Sequence, residues 1–243
     1  MTTTEVRRAE SERGELVLRQ RDDGSLELRA NGVYVMDTVE TTSERALASR
    51  ALGLVESPRS VLIGGLGLGF TLAETLRDRR VEHCTVVEIE PDLIAWMRDG
   101  TVPHGPELLS DPRVTVVAGN VAQVLRDSEP GSYDLVLLDV DNGPGYLVHD
   151  ENAGLYSAST LTDAERATRP GGQVVIWSAS DAPELFDAMR ESFEAAEEIP
   201  YAVELNGRQE LYWLYAGLVR PEHHHSTRVV STDGYYEGTT DPS

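Results

Sequence analysis

Two hydrophobic rhythms divide the chain. Near the start, Glu15-Leu-Val-Leu-Arg-Gln, Ser25-Leu-Glu-Leu-Arg and Val33-Tyr-Val-Met-Asp are short alternating runs. Asp22-Asp-Gly-Ser and Ala30-Asn-Gly separate them with strong turn signals. This predicts a small antiparallel β meander over residues 15–42, after a polar and loosely held segment 1–14. Thr42-Ser-Glu-Arg-Ala-Leu-Ala then starts a helix capped by Thr42 or Ser43, which runs to about Leu54. Beyond it, apolar strand runs alternate with helical periods. Strands are expected at 61–64, 84–89, 114–117, 133–139 and 173–177. Helices are expected at 70–80, 91–98, 121–127, 157–168 and 182–194, the second opened by Pro91. Arg169-Pro-Gly-Gly172 reads as the turn before the fifth strand. Runs at 199–205 and 210–217, flanking Asn206-Gly207, predict a closing antiparallel hairpin.

Strands alternating with helices predict an α/β fold, a Rossmann-like, doubly wound and mostly parallel sheet over 43–220. Residues 221–243 read as a polar C-terminal tail carrying His223-His-His225. Three adjacent histidines cannot all face one metal from a regular element, so the tail reads as solvated and no metal is expected.

The stretch Val61-Leu-Ile-Gly-Gly-Leu-Gly-Leu-Gly-Phe-Thr71 carries the first chemistry. Gly65, Gly67 and Gly69 allow a tight strand-to-helix turn and close approach to a ligand. About 20 residues on, Cys84-Thr-Val-Val-Glu-Ile-Glu90 is an apolar strand ending in acids. Glu88 at that place grips a ribose diol or is an ordinary strand-end acid, and Glu90 is open in the same way. The pair of signals predicts an adenosine-type cofactor held between residues 61 and 142.

Composition narrows the partners. The 243 residues hold 42 acids against 21 Lys and Arg, a net charge of −21. Such a balance disfavours nucleic acid, whose phosphates need cationic surface. It suits a soluble acidic surface, or steering of a cationic acceptor. Cys84 is the only cysteine, which excludes a disulfide framework. No apolar run approaches the length of a membrane span, and Met1-Thr-Thr-Thr-Glu-Val-Arg-Arg lacks the apolar core of a signal peptide. A cytoplasmic protein is the expectation.

Five motifs in order carry a family resemblance. They are Val87-Glu-Ile-Glu-Pro-Asp-Leu-Ile94, Asp111-Pro-Arg-Val-Thr-Val-Val-Ala-Gly-Asn120, Tyr133-Asp-Leu-Val-Leu-Leu-Asp139, Leu155-Tyr156 and Arg169-Pro-Gly-Gly172. Over residues 15–217 the chain resembles the spermidine synthase family within the class I AdoMet-dependent methyltransferase fold. The resemblance implies S-adenosyl-L-methionine (AdoMet) or its decarboxylated form as the donor, a small acceptor and a homodimer. It implies that Gly65, Gly67, Leu68 and Gly69 pass beneath the donor. Glu88 and Ile89 would hold the ribose, and Gly119, Asn120 and Val121 the adenine. Asp139 falls where the family's Asp deprotonates the attacking amine. It either does so here, with Asp141 as a neighbouring acid that raises its pKa, or only caps a loop or orients the donor.

The departures fall on amine binding. Leu68 stands where the family has the Asp that holds the donor's amino group. Asn142 stands where a second Asp holds the acceptor amine. The family's Tyr-Gln pair before the first Rossmann strand is missing from residues 43–54. Each lost carboxylate removes a charge-assisted bond of about 1.5–3 kcal/mol. His149 is a base, a substrate contact or a surface-loop residue; Tyr156 and Trp177 wall the acceptor pocket or are ordinary core aromatics. The reading is an AdoMet-dependent alkyl transferase, with methyl transfer to a small, amine-like nucleophile first. Aminopropyl transfer, 3-amino-3-carboxypropyl transfer and a non-catalytic AdoMet-binding role are the alternatives.

Overall fold

The computed structural model describes residues 3–140, 143–144, 147, 150–205 and 208–221. The meander is a four-stranded antiparallel sheet in the order β1-β2-β3-β4, formed by Thr3–Ser11, Gly14–Arg21, Leu26–Ala30 and Val33–Asp37. β1 corrects the expectation that residues 1–14 are loose. It is an edge strand without an apolar face, so no hydrophobic rhythm betrays it. Its backbone nevertheless pairs with β2 from Thr3 opposite Arg21 to Ser11 opposite Gly14. The Asn31-Gly32 turn forms as the sequence predicts, with φ values of 50° and 77°.

Seven further strands form the main sheet, in the order β10-β11-β9-β8-β5-β6-β7. They are β5 (Ser60–Gly64), β6 (His83–Glu88), β7 (Val114–Ala118), β8 (Tyr133–Leu138), β9 (Thr168–Ser178), β10 (Ala195–Leu205) and β11 (Arg208–Leu218). β5 to β9 are mutually parallel, and β10 and β11 close the sheet as the antiparallel hairpin. Arg169-Pro-Gly-Gly172 lies inside β9 rather than before it. It occupies a register shift, where Tyr133 pairs with Thr168 and Leu135 with Gln173. The turn residues Asn206 and Gly207, the loop residues Asp141, Asn142 and His149, and the tail from 222, with His223-His-His225, lie outside the described residues.

The helices are α1 (Thr42–Leu54), α2 (Phe70–Arg77), α3 (Pro91–Arg98), α4 (Gly105–Leu109), α5 (Val121–Asp127), α6 (Ala158–Ala167) and α7 (Pro183–Ser192). α4 and a 3-10 turn at Asp150–Tyr156 were not expected; both are too short to show a helical period. Local chemistry starts several of the rest. Asn120 caps α5 by accepting the Ala122 N–H at 2.8 Å, and Ser157 caps α6.

Alternation along the buried strands feeds two apolar layers. Val61, Ile63, Leu135 and Leu137 face the layer holding α1 to α3 and the apolar side of the small sheet, with Leu18, Leu28 and Met36. Leu62, Val136, Leu138 and Ile176 face the opposite layer, with α5, α6 and α7. A central strand buried on both faces must be apolar at every position. Each such side chain contributes about 1.5–3 kcal/mol on burial.

β6 lies on one side of β5 and β8 on the other, so the chain reverses its winding direction at the carboxyl end of β5. Open α/β sheets place their ligand crevice at this point. Gly65 occupies it at φ 95°, and a Cβ there would overlap the Asp139 carbonyl oxygen. Gly65→Ala therefore combines a strained backbone with overpacking, and a loss of about 2–4 kcal/mol is expected. Urea unfolding of the two proteins measures it.

Candidate active site

A cavity of about 380 Å³ opens at this crevice. One end is lined by Gly65, Gly67, Glu88, Ile89, Gly119, Asn120 and Val121. Three strand ends build it. Gly65 N–H bonds the Val87 carbonyl at 2.8 Å, Gly119 N–H the Glu88 carbonyl at 2.8 Å and Asp139 N–H the Gly64 carbonyl at 2.9 Å.

Glu88 is only 7% exposed. Its Oε2 accepts the Leu66 N–H at 2.9 Å and its Oε1 the Glu90 N–H at 2.8 Å. Burial raises the Glu88 pKa, while these backbone bonds pull the other way. A carboxylate has about four lone-pair sites. Backbone N–H groups of Leu66, Glu90 and Ile89 take up part of that capacity, and what remains can accept a ribose hydroxyl. Asn120 spends one amide-oxygen lone pair on capping α5 and keeps its second lone pair and its NH2 group.

The glycine loop departs from the expected cradle in two places. Leu68 does not line the cavity: its side chain is wholly buried in the core. Its N–H instead meets Met36 Sδ at 3.2 Å, and its carbonyl meets His104 Nε2 at 2.6 Å. Gly69 starts α2 in the left-handed region at φ 86°, packed close to Leu108 and Met97. A leucine stands here where the resemblance implies an acid, and the backbone at 68 ties the loop to β4 and to His104 at the start of α4.

The other end of the cavity is acidic and aromatic. Asp139, Thr71, Glu40, Ser43, Glu44, Tyr34, Phe70, Trp177 and Tyr212 line it. Thr71 donates from Oγ1 to Asp139 Oδ2 at 2.5 Å and lies 3.5 Å from the Glu44 carbonyl oxygen. Burial pushes the Asp139 pKa up to about 6, against the Thr71 bond that lowers it. Burial, then the charge of Asp139, pushes Glu44 up to about 7. The Asp139 shift comes from burial, and the Asp139 charge then acts on Glu44.

Glu44 was not among the residues singled out from the sequence. It reads there as an ordinary first-turn acid of α1. Its Oε2 accepts the Ser43 hydroxyl at 2.7 Å, and the loop before it is pinned to the small sheet. Asp37 Oδ1 accepts the Val39 and Glu40 N–H groups at 2.9 and 2.8 Å, and Asp37 Oδ2 accepts Arg21 Nη1 at 2.7 Å. Trp177 adds a second brace. Its Nε1 donates to the Tyr201 hydroxyl at 2.9 Å, which lies 3.4 Å from the Ser43 carbonyl. Trp177 also meets Tyr212 edge-on with ring centroids 5.2 Å apart. Tyr156 does not line the cavity; its hydroxyl donates to the Val140 carbonyl at 2.9 Å and props the end of β8.

Strand order and crevice together define a class I methyltransferase-like fold. Residues 40–196 match the Spermine/spermidine synthase domain, and the chain belongs to that family. It is 34% identical over 129 residues to putrescine N-methyltransferase 3 of Nicotiana tabacum, covering 53% of this chain and 32% of that one. It is 33% identical over 160 residues to a polyamine aminopropyltransferase of Corynebacterium efficiens, covering 62% and 30%. The chain thus spans about a third of the length of the curated relatives it matches. The solved spermidine synthase from Thermotoga maritima superposes with a TM-score of 0.72 at 17% identity, over 90% of this chain and 73% of that one. A spermidine synthase bound to the transition-state analogue AdoDATO gives 0.76 at 17% identity, over 90% and 74%. Among the described residues no helix is long and apolar enough to cross a membrane.

The carboxyl pair makes a stability prediction. A Glu44 pKa raised above its ordinary 4.5 means that the folded state binds the proton more tightly than the unfolded state. Stability therefore falls as pH rises from about 4.5 to about 7, and the penalty persists above. Glu44→Gln should raise stability at pH 8 by roughly 1–2 kcal/mol, allowing for partial solvent access, and leave it unchanged at pH 4. Thermal melts at the two pH values check it.

Proposed function

We propose that this protein transfers a methyl group from AdoMet to a small cationic amine. The observation that carries the reading is the Asp139–Thr71–Glu44 group, set beside the Glu88 cradle in one cavity. An acceptor amine arrives protonated and cannot attack until it loses that proton. Asp139 takes it. A buried carboxylate with a pKa near neutrality is matched to this transfer. Thr71 fixes the Asp139 carboxylate, and Glu44 balances the ammonium charge from the opposite side. Trp177 and Tyr212 line the same end of the cavity and can meet that cation with their rings.

The donor supplies an electrophilic carbon on a positively charged sulfur. The amine lone pair forms the new carbon–nitrogen bond as the carbon–sulfur bond breaks, with its electron pair passing to sulfur. The protein's contribution is alignment of the two partners, worth up to about 7–11 kcal/mol in such reactions. Leu68 supports AdoMet over its decarboxylated form. No acid at this position grips the donor's amino group, and none repels the donor's carboxylate. The tobacco putrescine N-methyltransferases, which match over 129 residues, are consistent with this choice.

A panel of donors tests the reading. AdoMet and S-adenosylhomocysteine should raise the melting temperature more than decarboxylated AdoMet or methylthioadenosine. The reverse order selects aminopropyl transfer, and no stabilisation by any of the four overturns the donor assignment. With an accepted amine in hand, Asp139→Asn should lower kcat by about 10²–10⁴-fold. Turnover equal to wild type would remove Asp139 as the base. The acid limb of the wild-type pH profile should fall near 6–7. Glu44→Gln should narrow that limb to near 6, because only Asp139 is then left to titrate.

A further inference from the structure

Arg13 sits in the turn between β1 and β2, and its backbone is fixed. Its N–H bonds Ser11 Oγ at 3.1 Å and its carbonyl accepts Asn31 Nδ2 at 3.2 Å. Asn31 Oδ1 also takes the Glu15 N–H at 2.9 Å. From this base the side chain reaches across to the main sheet. Nε lies 3.3 Å from Glu90 Oε1, and Nη2 donates to Asn152 Oδ1 at 3.3 Å. The guanidinium and the Glu90 carboxylate are both well shielded, at 16% and 15% exposed.

Three segments distant in sequence therefore meet at one guanidinium: the β1–β2 turn, the loop just past β6 and the 3-10 turn at Asp150–Tyr156. Arg13, Glu90 and Asn152 line the cavity together with Glu88 and Asn120. The Glu90 N–H also serves Glu88. The contact thus steadies the backbone amide that orients the ribose carboxylate.

We propose that Arg13 is a positioning residue that latches the β1–β2 turn over the nucleoside end of the donor site, so that the donor leaves only when the Arg13–Glu90 contact opens. This rests on the donor reading given above. The latch acts on residence of the donor, and the chemistry lies at the far end of the cavity.

Stopped-flow binding of AdoMet to the full chain tests it, using wild type, Arg13→Ala, Arg13→Lys, Glu90→Gln, the Arg13→Ala/Glu90→Gln double variant and Glu88→Gln. Arg13→Ala should speed AdoMet dissociation about tenfold, the loss of one shielded charge-assisted contact. Arg13→Lys should recover part of the effect. The double variant should be no faster than the faster single variant, because both remove the same contact. In turnover, the change should fall on the KM for AdoMet more than on kcat. Dissociation from Arg13→Ala within twofold of wild type, or additive effects in the double variant, overturns the latch. If either result comes with a Glu88→Gln variant that binds AdoMet weakly, only the latch falls. If wild type does not bind AdoMet, or Glu88→Gln binds it as wild type does, the donor reading falls and the latch with it.

Discussion

Everything in this site hangs on the close passage of β5 and β8 at their carboxyl ends. Gly65 has no Cβ, so the Asp139 backbone packs directly against it. That contact brings the Glu88 carboxylate, at the end of the neighbouring β6, and the proposed base, just past β8, onto one crevice. A side chain at 65 would separate the two strands, and with them the two halves of the proposed reaction. The hydrogen bonds from Gly65 to Val87 and from Asp139 to Gly64 then fix the spacing.

The acidic end follows a different logic. Its carboxyls are costly to ionise when nothing positive is near, because burial and mutual repulsion both favour the proton. A cationic guest relieves both costs at once. The scaffold around Glu44 is chiefly Asp37 with its Arg21 partner and the Trp177–Tyr201–Ser43 chain. The aromatic side chains shield the pair from water without neutralising it.

Much of the main sheet was legible because its signals are local. The glycines at 65–69, the apolar run ending in Glu88 and the run ending in Asp139 each announce themselves within a few residues. The acidic end was legible only at Asp139 and Trp177, because the rest is assembled from parts far apart in the chain. Glu44 looks like any first-turn glutamate until the fold sets it on the same cavity as Asp139. Leu68 was read as a donor contact for its place in the loop, yet its side chain packs into the core, and only its backbone belongs to the turn. β1 escaped because an edge strand with polar faces has no period to read, and Arg13 escaped with it. Asp141, Asn142 and His149 remain expectations from the sequence.

One brace of the segment carrying Glu44, through Asp37, comes from the small sheet, whereas Trp177 and Tyr201 brace it from the main sheet, to which Glu88 also belongs. The loop from Asp37 to Glu44 is thus a part of the acidic end supplied from outside the main sheet. Substitutions in the loop from Asp37 to Glu44 would alter the acidic end of the cavity while the Glu88 and Asn120 end stays as it is. Under the proposed function, that loop is where the choice of acceptor would change without disturbing the donor.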